Sequence, residues 1–307
     1  MARALVVGAN GFIGSYLVDA LVTAGFDVTA FDRFSSRMPA FNSDGVRIIA
    51  GDFLNRADIQ NAVQGQDFVF HFLSTTTPAS AQADPTLDIR TNIEPTVQLL
   101  EAAVSAGVKR FFFASTGGAI YGDQGKTSLA ETDLTFPVSP YAIGKLAVEN
   151  YLNYFSTVSD LSTVALRISN PYGAGQPLHK KQGLIPIAIR QALRGQPVIQ
   201  YGDGSMIRDY IYIQDLVSMI STIALSTPKY SVYNLGSGSG TSVTEVIDSI
   251  SLALDLPIKT EIQQTPPTFI SKVVLDISRF SSEFGTPMFT PLSEGIQLTV
   301  DAMKSSH

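Results

Sequence analysis

Tyr141 and Lys145 stand four residues apart in the run Tyr141-Ala-Ile-Gly-Lys145-Leu-Ala-Val-Glu, a spacing that puts both on one helix face, a turn apart. A phenol of ordinary pKa near 10 is a weak base at neutral pH, and a neighbouring ammonium favours its phenolate. One strand–loop unit earlier, Phe111-Phe112-Phe113-Ala114 runs into the hydroxyls of Ser115 and Thr116. Thr116 can hold a substrate oxygen and relay its proton. A phenol, an ammonium and a hydroxyl in this order suit proton transfer at an alcohol carbon.

A second cluster suits phosphate. Gly8-Ala9-Asn10-Gly11-Phe12-Ile13-Gly14 follows an apolar run and opens a helical pattern. The chain turns tightly at Gly8, a ligand can approach the backbone at Gly11, and Gly14 lets the helix lie close to the sheet. Free N–H groups and the positive end of the helix dipole then face a pyrophosphate. Asp32, eighteen residues beyond Gly14, closes the next strand. A carboxylate there accepts from ribose hydroxyls and repels a 2′-phosphate, which favours NAD over NADP, whereas Arg33 beside it can accommodate a phosphate. Asp52, in Gly51-Asp52-Phe53 after the third strand, fits either an adenine contact or a helix start. Lys145 can also reach the nicotinamide ribose.

The elements that must position these residues alternate. Strand runs are expected at Ala4–Val7, Asp27–Phe31, Arg47–Ala50, Phe68–Phe72, Phe111–Ala114 and Ser162–Ile168, short and continuously apolar as in parallel strands covered on both faces. Helical patterns fall between them at Ile13–Ala24, Ala57–Val63, Glu94–Ala106 and Tyr141–Ser156. The fold class is therefore α/β, a doubly wound parallel Rossmann sheet with a smaller mixed C-terminal substrate domain. Residues 1–170 form the first domain. Arg208–Ile213 and Val232–Leu235 are further strand candidates that can return to the first sheet, so that about 208–236 joins it, while 171–207 and 237–307 form the second domain.

The chain has 307 residues, enough for two packed units. A net charge of −6 with no basic stripe argues against nucleic acid. With no cysteine, and only three histidines at 71, 179 and 307, a thiol nucleophile is excluded and a metal centre is not expected. No run approaches the roughly 18 apolar residues of a membrane span, so the expectation is no membrane and a cytoplasmic location.

Together Gly8-x-x-Gly-x-x-Gly14, Asp32, Ser115-Thr116, Tyr121-Gly122 and Tyr141-x-x-x-Lys145 resemble the extended short-chain dehydrogenase/reductases, specifically the NAD-dependent nucleotide-sugar epimerase/dehydratase group. The likeness continues through Leu166-Arg167-Ile168-Ser169-Asn170-Pro171-Tyr172-Gly173 and from Gly202 to Leu216, and so covers nearly the whole chain. It implies NAD as cofactor and a nucleotide-diphosphate sugar as substrate. It assigns Tyr141 as base, Lys145 as its activator, and Thr116 with Ser115 as hydroxyl partners. Phe53 borders the adenine, Phe72, Leu73, Ser74 and Ile168 line the cofactor, and Asn92 supports the active-site helix. His71 reads better as a satisfied core histidine.

On the substrate side the resemblance implies Gly117, Asn170, Leu184 in the Gly183-Leu184-Ile185-Pro186 helix start, Gln200, Tyr201 and Arg208. A guanidinium at 208 suits two phosphate oxygens, the alternative being an ion pair with Asp209 or Asp215. Lys180 and Lys181, next to His179, read as a solvated loop. A homodimer is also implied, built on the helices at Glu94–Ala106 and Tyr141–Ser156. Val97, Leu100, Val104, Leu152 and Phe155 are its candidate seam, or else face the sheet.

The chain departs from the group in places. Many relatives carry an Arg-Pro-Gly-Asp segment where this chain reads Gln264-Thr265-Pro266-Pro267-Thr268-Phe269, so a second diphosphate arginine is missing, which either weakens diphosphate affinity or shifts the task to Arg190 or Arg194. Glu94-Pro95-Thr96 replaces small residues at a helix start, where proline is tolerated. Dehydratases of the group place an Asp-Glu pair after the threonine, but here Gly117 and Gly118 follow, so 4,6-dehydration lacks its acid and base. The expected chemistry is C4 epimerisation. The alternatives are a ketoreductase of the same fold and an NAD-binding relative without catalysis.

Overall fold

Ala4-Leu5-Val6-Val7 is an apolar run with no polar face, and all four side chains are buried. Such a run is stable as a strand with layers on both sides. The computed structural model describes residues 1–34, 38–176, 183–265 and 270–305. The loop with His179, Lys180 and Lys181, the segment Pro266 to Phe269, and His307 lie outside the described residues.

In chain order come β1 (Arg3–Val7), α1 (Phe12–Thr23), β2 (Asp27–Asp32), β3 (Arg47–Ala50), α2 (Arg56–Ala62), β4 (Phe68–His71), α3 (Pro78–Ala83) and α4 (Pro85–Asp88). A π-helical turn, Ile89–Ile93, leads into α5 (Glu94–Ser105), followed by β5 (Arg110–Thr116), α6 (Pro140–Val158) and β6 (Ser162–Ile168). The remainder is β7 (Asn170–Tyr172), α7 (Leu184–Leu193), β8 (Val198–Tyr201), β9 (Ile207–Tyr212), α8 (Ile213–Leu225), β10 (Val232–Leu235), β11 (Gly240–Ser242), α9 (Val243–Leu254), β12 (Thr260–Gln263), β13 (Lys272–Val273), α10 (Ser278–Phe284) and α11 (Leu292–Ser305).

Seven strands form one sheet in the order β10-β6-β5-β4-β1-β2-β3. Pairs β1·β2, β1·β4, β2·β3 and β4·β5 are parallel. The order reverses between β1 and β4, and in such sheets the crevice for a ligand opens at the carboxyl ends of the strands flanking the reversal. Register puts Phe70 beside Phe112 and His71 beside Phe113. The first pair stacks at 4.6 Å on one face, while His71 and Phe113 lie on the other with Phe53. That second face holds Leu5, Val7, Phe31, Val69 and Phe111 under α2, α5 and α6. Each large apolar side chain so buried contributes roughly 1.5–3 kcal/mol.

Two compact units divide the chain. The first comprises Met1–Ile120, Pro137–Arg167 and Val217–Tyr233, the second Tyr121–Phe136, Ile168–Leu216 and Asn234–His307. In the second, β9 is the centre of a mixed sheet, antiparallel to β11 and parallel to β13 and β7. A parallel pair, β12 with β8, stands apart. Val232–Leu235 joins the seven-stranded sheet as expected, but the strand expected at Arg208–Ile213 does not, because its partners are the short strands of the second unit. The returning segment is therefore Val217–Tyr233 rather than 208–236, and Tyr121–Phe136 crosses to the second unit.

For Leu100, Val104, Leu152 and Phe155 of the candidate dimer seam, it is the sheet-facing alternative that holds. Leu100 and Leu152 are core residues of the first unit, with Val104 and Phe155 packed against them. The outward apolar residues of α6 are Ile143, Tyr151, Tyr154 and Val158 instead.

Candidate active site

Gly8 follows β1 with φ +89°, and a Cβ there would stand 2.7 Å from the Leu73 nitrogen. Both facts demand glycine. At Gly14 a Cβ would lie 2.0 Å from the Gly8 carbonyl oxygen, so the first turn of α1 rests directly on the loop. Gly11 is the N-cap and supplies no side-chain cap. Ser15 N–H is the first to donate within the helix, to Gly11 O at 3.0 Å, and the amides of Phe12, Ile13 and Gly14 have no acceptor among the described residues. Three uncapped donors at the positive end of a twelve-residue helix fit the diphosphate of a dinucleotide.

Asp32 closes β2 facing this loop. Its Oδ2 accepts from Asn10 N at 3.0 Å and its Oδ1 from Arg33 N at 2.7 Å. Asn10 Oδ1 is committed to Ala40 N, so this side chain holds the neighbouring segment. Arg33 is exposed. Asp52 Oδ1 accepts from Leu54 N, and the Asp52 amide donates to Asp58 Oδ2, the contacts of the helix-start alternative. The Phe53 ring is buried, 4.9 Å from His71. Phe72 and Leu73 approach Gly8 through their backbone. Ser74 Oγ donates to Thr76 O. Asn92, on the π-helical turn, accepts from Thr75 N and donates to Asp88 Oδ1 and Thr76 Oγ1, which braces the segment after β4. Ile168 is buried in β6.

The Tyr–Lys helix starts where its sequence says it should. Ser139 Oγ accepts from Ala142 N, and Pro140 fills the first turn. Lys145 Nζ donates to Ala114 O on β5 at 2.8 Å, lies 4.6 Å over the Phe113 ring, and is 5.7 Å from the centre of the Tyr141 ring. Burial draws the Lys145 ammonium down to about 8, opposed by Asp88 and Glu149. Tyr141 corrects an expectation: burial, and then the Asp88 carboxylate, push its phenol up to about 12. Lys145 alone does not bring it toward neutrality.

Successive residues of a strand point to opposite faces. Thr116 is buried to 8% exposure, and its hydroxyl has no partner among the described residues. Ser115 points away and donates to Glu149 Oε1 at 2.5 Å, and Glu149 in turn holds Arg167 through Nε and Nη2, the latter at 2.7 Å. Ser115 is therefore part of a buried ion-pair network and is withdrawn from the hydroxyl role assigned to it. Gly117 continues from Thr116 buried, and Gly118 is half-buried. Asp88, Glu149 and Arg167 were not read as site residues. Glu149 was legible one turn beyond Lys145, whereas Asp88 carries no local signal.

In the second unit, Arg208 lies on β9 with Nη1 donating to Ile207 O at 2.8 Å. The ion-pair alternatives fail: Asp209 accepts from Ser237, Gly238 and Leu275, and Asp215 from Thr290. Arg208 thus has no carboxylate partner among the described residues, and burial lowers its pKa. Asn170 Nδ2 donates to Asp209 O, and Gln200 Nε2 to Gly202 O. Tyr201 ends β8, and Leu184 opens α7 after Gly183 with φ +92°. Arg190 is half-buried on α7, and Arg194 is exposed at its end.

A nucleotide-cradling loop at the sheet's reversal and a phenol–ammonium pair against the neighbouring strand define an enzyme of the dinucleotide-dependent Rossmann class. Residues 4–236 match the profile of the NAD dependent epimerase/dehydratase family, and the chain belongs to that family, with NAD as its cofactor. It is 32% identical over 310 residues to a UDP-glucose 4-epimerase of Mycolicibacterium smegmatis, covering 99% of each chain. It superposes on the Thermotoga maritima UDP-glucose 4-epimerase with UDP-glucose at a TM-score of 0.93 and 31% identity, covering 99% of both. The Thermus thermophilus UDP-glucose 4-epimerase in complex with NAD gives 0.91 at 31% identity, over 99% of this chain and 100% of that one. Among the described residues, no helix is long and apolar enough to cross a membrane.

Proposed function

We propose that the protein inverts C4 of a UDP-linked hexose, UDP-glucose with UDP-galactose or their N-acetyl forms, by transient oxidation to the 4-keto sugar. The observation that carries this reading is the Tyr141–Lys145 turn docked on β5 through Ala114, a strand that ends at Thr116 and is followed by two glycines rather than by an acid–base pair. Tyr141 takes the proton of the 4′-hydroxyl and gives it back. Lys145 stabilises the phenolate while it exists, and Thr116 holds the substrate oxygen between transfers. NAD, when bound, supplies a hydride acceptor and donor.

The amides of Phe12, Ile13 and Gly14 hold the cofactor's diphosphate, and Asp32 its adenosine ribose. Arg208 receives the diphosphate of the substrate, for which a guanidinium with no carboxylate partner among the described residues is suited. The reading includes a homodimer, its seam on Ile143, Tyr151, Tyr154 and Val158, which recur on one face of α6. Gel filtration at the mass of a monomer overturns that part.

The test incubates purified protein and NAD with each UDP-sugar, identifies the sugar of the UDP-linked product after acid hydrolysis and follows absorbance at 340 nm. Interconversion with no net absorbance change is expected. A stoichiometric change supports a ketoreductase, and no product from any of these sugars defeats the proposal.

A further inference from the structure

A buried carboxylate stands beside the Tyr141–Lys145 turn with no part in the reading above. Asp88 ends α4, immediately before the π-helical turn, and is 5% exposed. Its Oδ1 accepts from Thr76 Oγ1 and from Asn92 Nδ2 at 2.8 Å. Its Oδ2 presses on α6 at Gly144, where an added Cβ would stand only 1.8 Å away. A glycine inside a helix is destabilising relative to alanine. Here the missing methyl is the space the carboxylate occupies. Asp88 and Lys145 also border one small cavity with His71, Asn92 and Thr96, and it has room for about one water molecule. His71 Nδ1, buried and without a partner, gives such a water a further acceptor.

We propose that Asp88 is a positioning residue whose carboxylate, admitted by Gly144, is the counter-ion that keeps the Lys145 ammonium charged and oriented; this rests on Tyr141 and Lys145 being the catalytic pair. The titratable groups around Lys145 are Asp88 from α4, Glu149 and Tyr141 from α6, and His71 from β4. Glu149 is already answered by Arg167 and Ser115. His71 is held neutral by burial, with a pKa of about 3, and Tyr141 is a protonated phenol at neutral pH. Asp88 meets only neutral donors, so its charge is the one directed at Lys145. The same charge opposes ionisation of Tyr141. Asp88 therefore sets the balance of the pair: an ammonium that survives burial, beside a phenol that ionises only when further positive charge arrives.

The experiment is a pH titration of the protein labelled with 13C at the lysine Cε, with the Lys145 resonance assigned by its loss in Lys145→Met. In the unaltered chain Lys145 should titrate near 8. In Asp88→Asn the midpoint should fall by about one unit or more, the usual effect of losing a nearby opposite charge. Gly144→Ala, which displaces the carboxylate, should move it the same way, and it decides the matter if Asp88→Asn does not fold. Folded variants with an unmoved Lys145 midpoint overturn the proposal. The alkaline limb of the pH–rate profile with UDP-galactose should shift down in parallel. If no UDP-sugar turns over, the functional reading fails, while the titration still decides the role of Asp88.

Discussion

His71 offers a quantitative test of the floor beneath the Tyr–Lys pair. It ends β4 at 2% exposure, among the rings of Phe53, Phe111 and Phe113. Thr96 Oγ1 donates to Asn92 O, so it accepts from His71 Nε2–H at 2.9 Å. Burial first, and the Lys145 ammonium second, lower the imidazole from 6.5 to about 3. Because the folded value lies below the unfolded one, the unfolded chain takes up the proton first as pH falls. The contribution is complete above about pH 6.5 and is lost as pH drops toward 3.

At about 1.36 kcal/mol per unit, that window amounts to about 5 kcal/mol in all, of which about 2 kcal/mol falls between pH 7 and pH 5. The perturbation is His71→Phe, which keeps a ring in the cluster and removes the titration. Urea unfolding of both proteins at pH 7, 6 and 5 reads the difference, in which the carboxylates elsewhere cancel. At pH 7 the unaltered chain should be the more stable by about 1 kcal/mol for the Thr96 hydrogen bond. By pH 5 that advantage should fall by about 2 kcal/mol, reversing its sign. A difference that does not vary with pH refutes a buried neutral imidazole.

The remaining predictions concern the pair, its support and the second unit. Tyr141→Phe should lower kcat by about 10²–10⁴-fold with the Tm unchanged within a few degrees, since a proton acceptor is lost and little packing. Glu149→Gln leaves the buried Arg167 charge unanswered and should cost about 3–5 kcal/mol in unfolding free energy, read by denaturant titration; a loss below 1 kcal/mol contradicts the network. Arg208→Met should raise the KM for a UDP-sugar by about 10–100-fold, losing charge-assisted hydrogen bonds to the diphosphate. An unchanged KM there moves the diphosphate elsewhere, to Arg190 or Arg194.

Much of the first unit was legible because its strands are continuous apolar runs and its turns are marked by glycine. The loop from Gly8 to Gly14 and the Tyr141–Lys145 turn depend on contacts within a few residues, and spacing states them directly. What failed depended on partners distant in the chain. Ile207–Tyr212 reads as a strand, but nothing in its alternation says which sheet it joins. Leu100 and Leu152 show the helical period that a dimer seam and a sheet-facing stripe share. Ser115 was recoverable, since a two-residue period turns it away from Thr116, toward Glu149. Asp88 was not, because its neighbour Gly144 belongs to another helix and the pairing shows only as a missing methyl group.

The most direct measurement uses UDP-galactose carrying deuterium at C4, with NAD and the purified protein, and mass spectrometry of the product. The account predicts UDP-glucose that retains the deuterium at C4, because the same hydrogen leaves and returns to the opposite face within one turnover. UDP-glucose with the label lost, or no UDP-glucose at all, contradicts it.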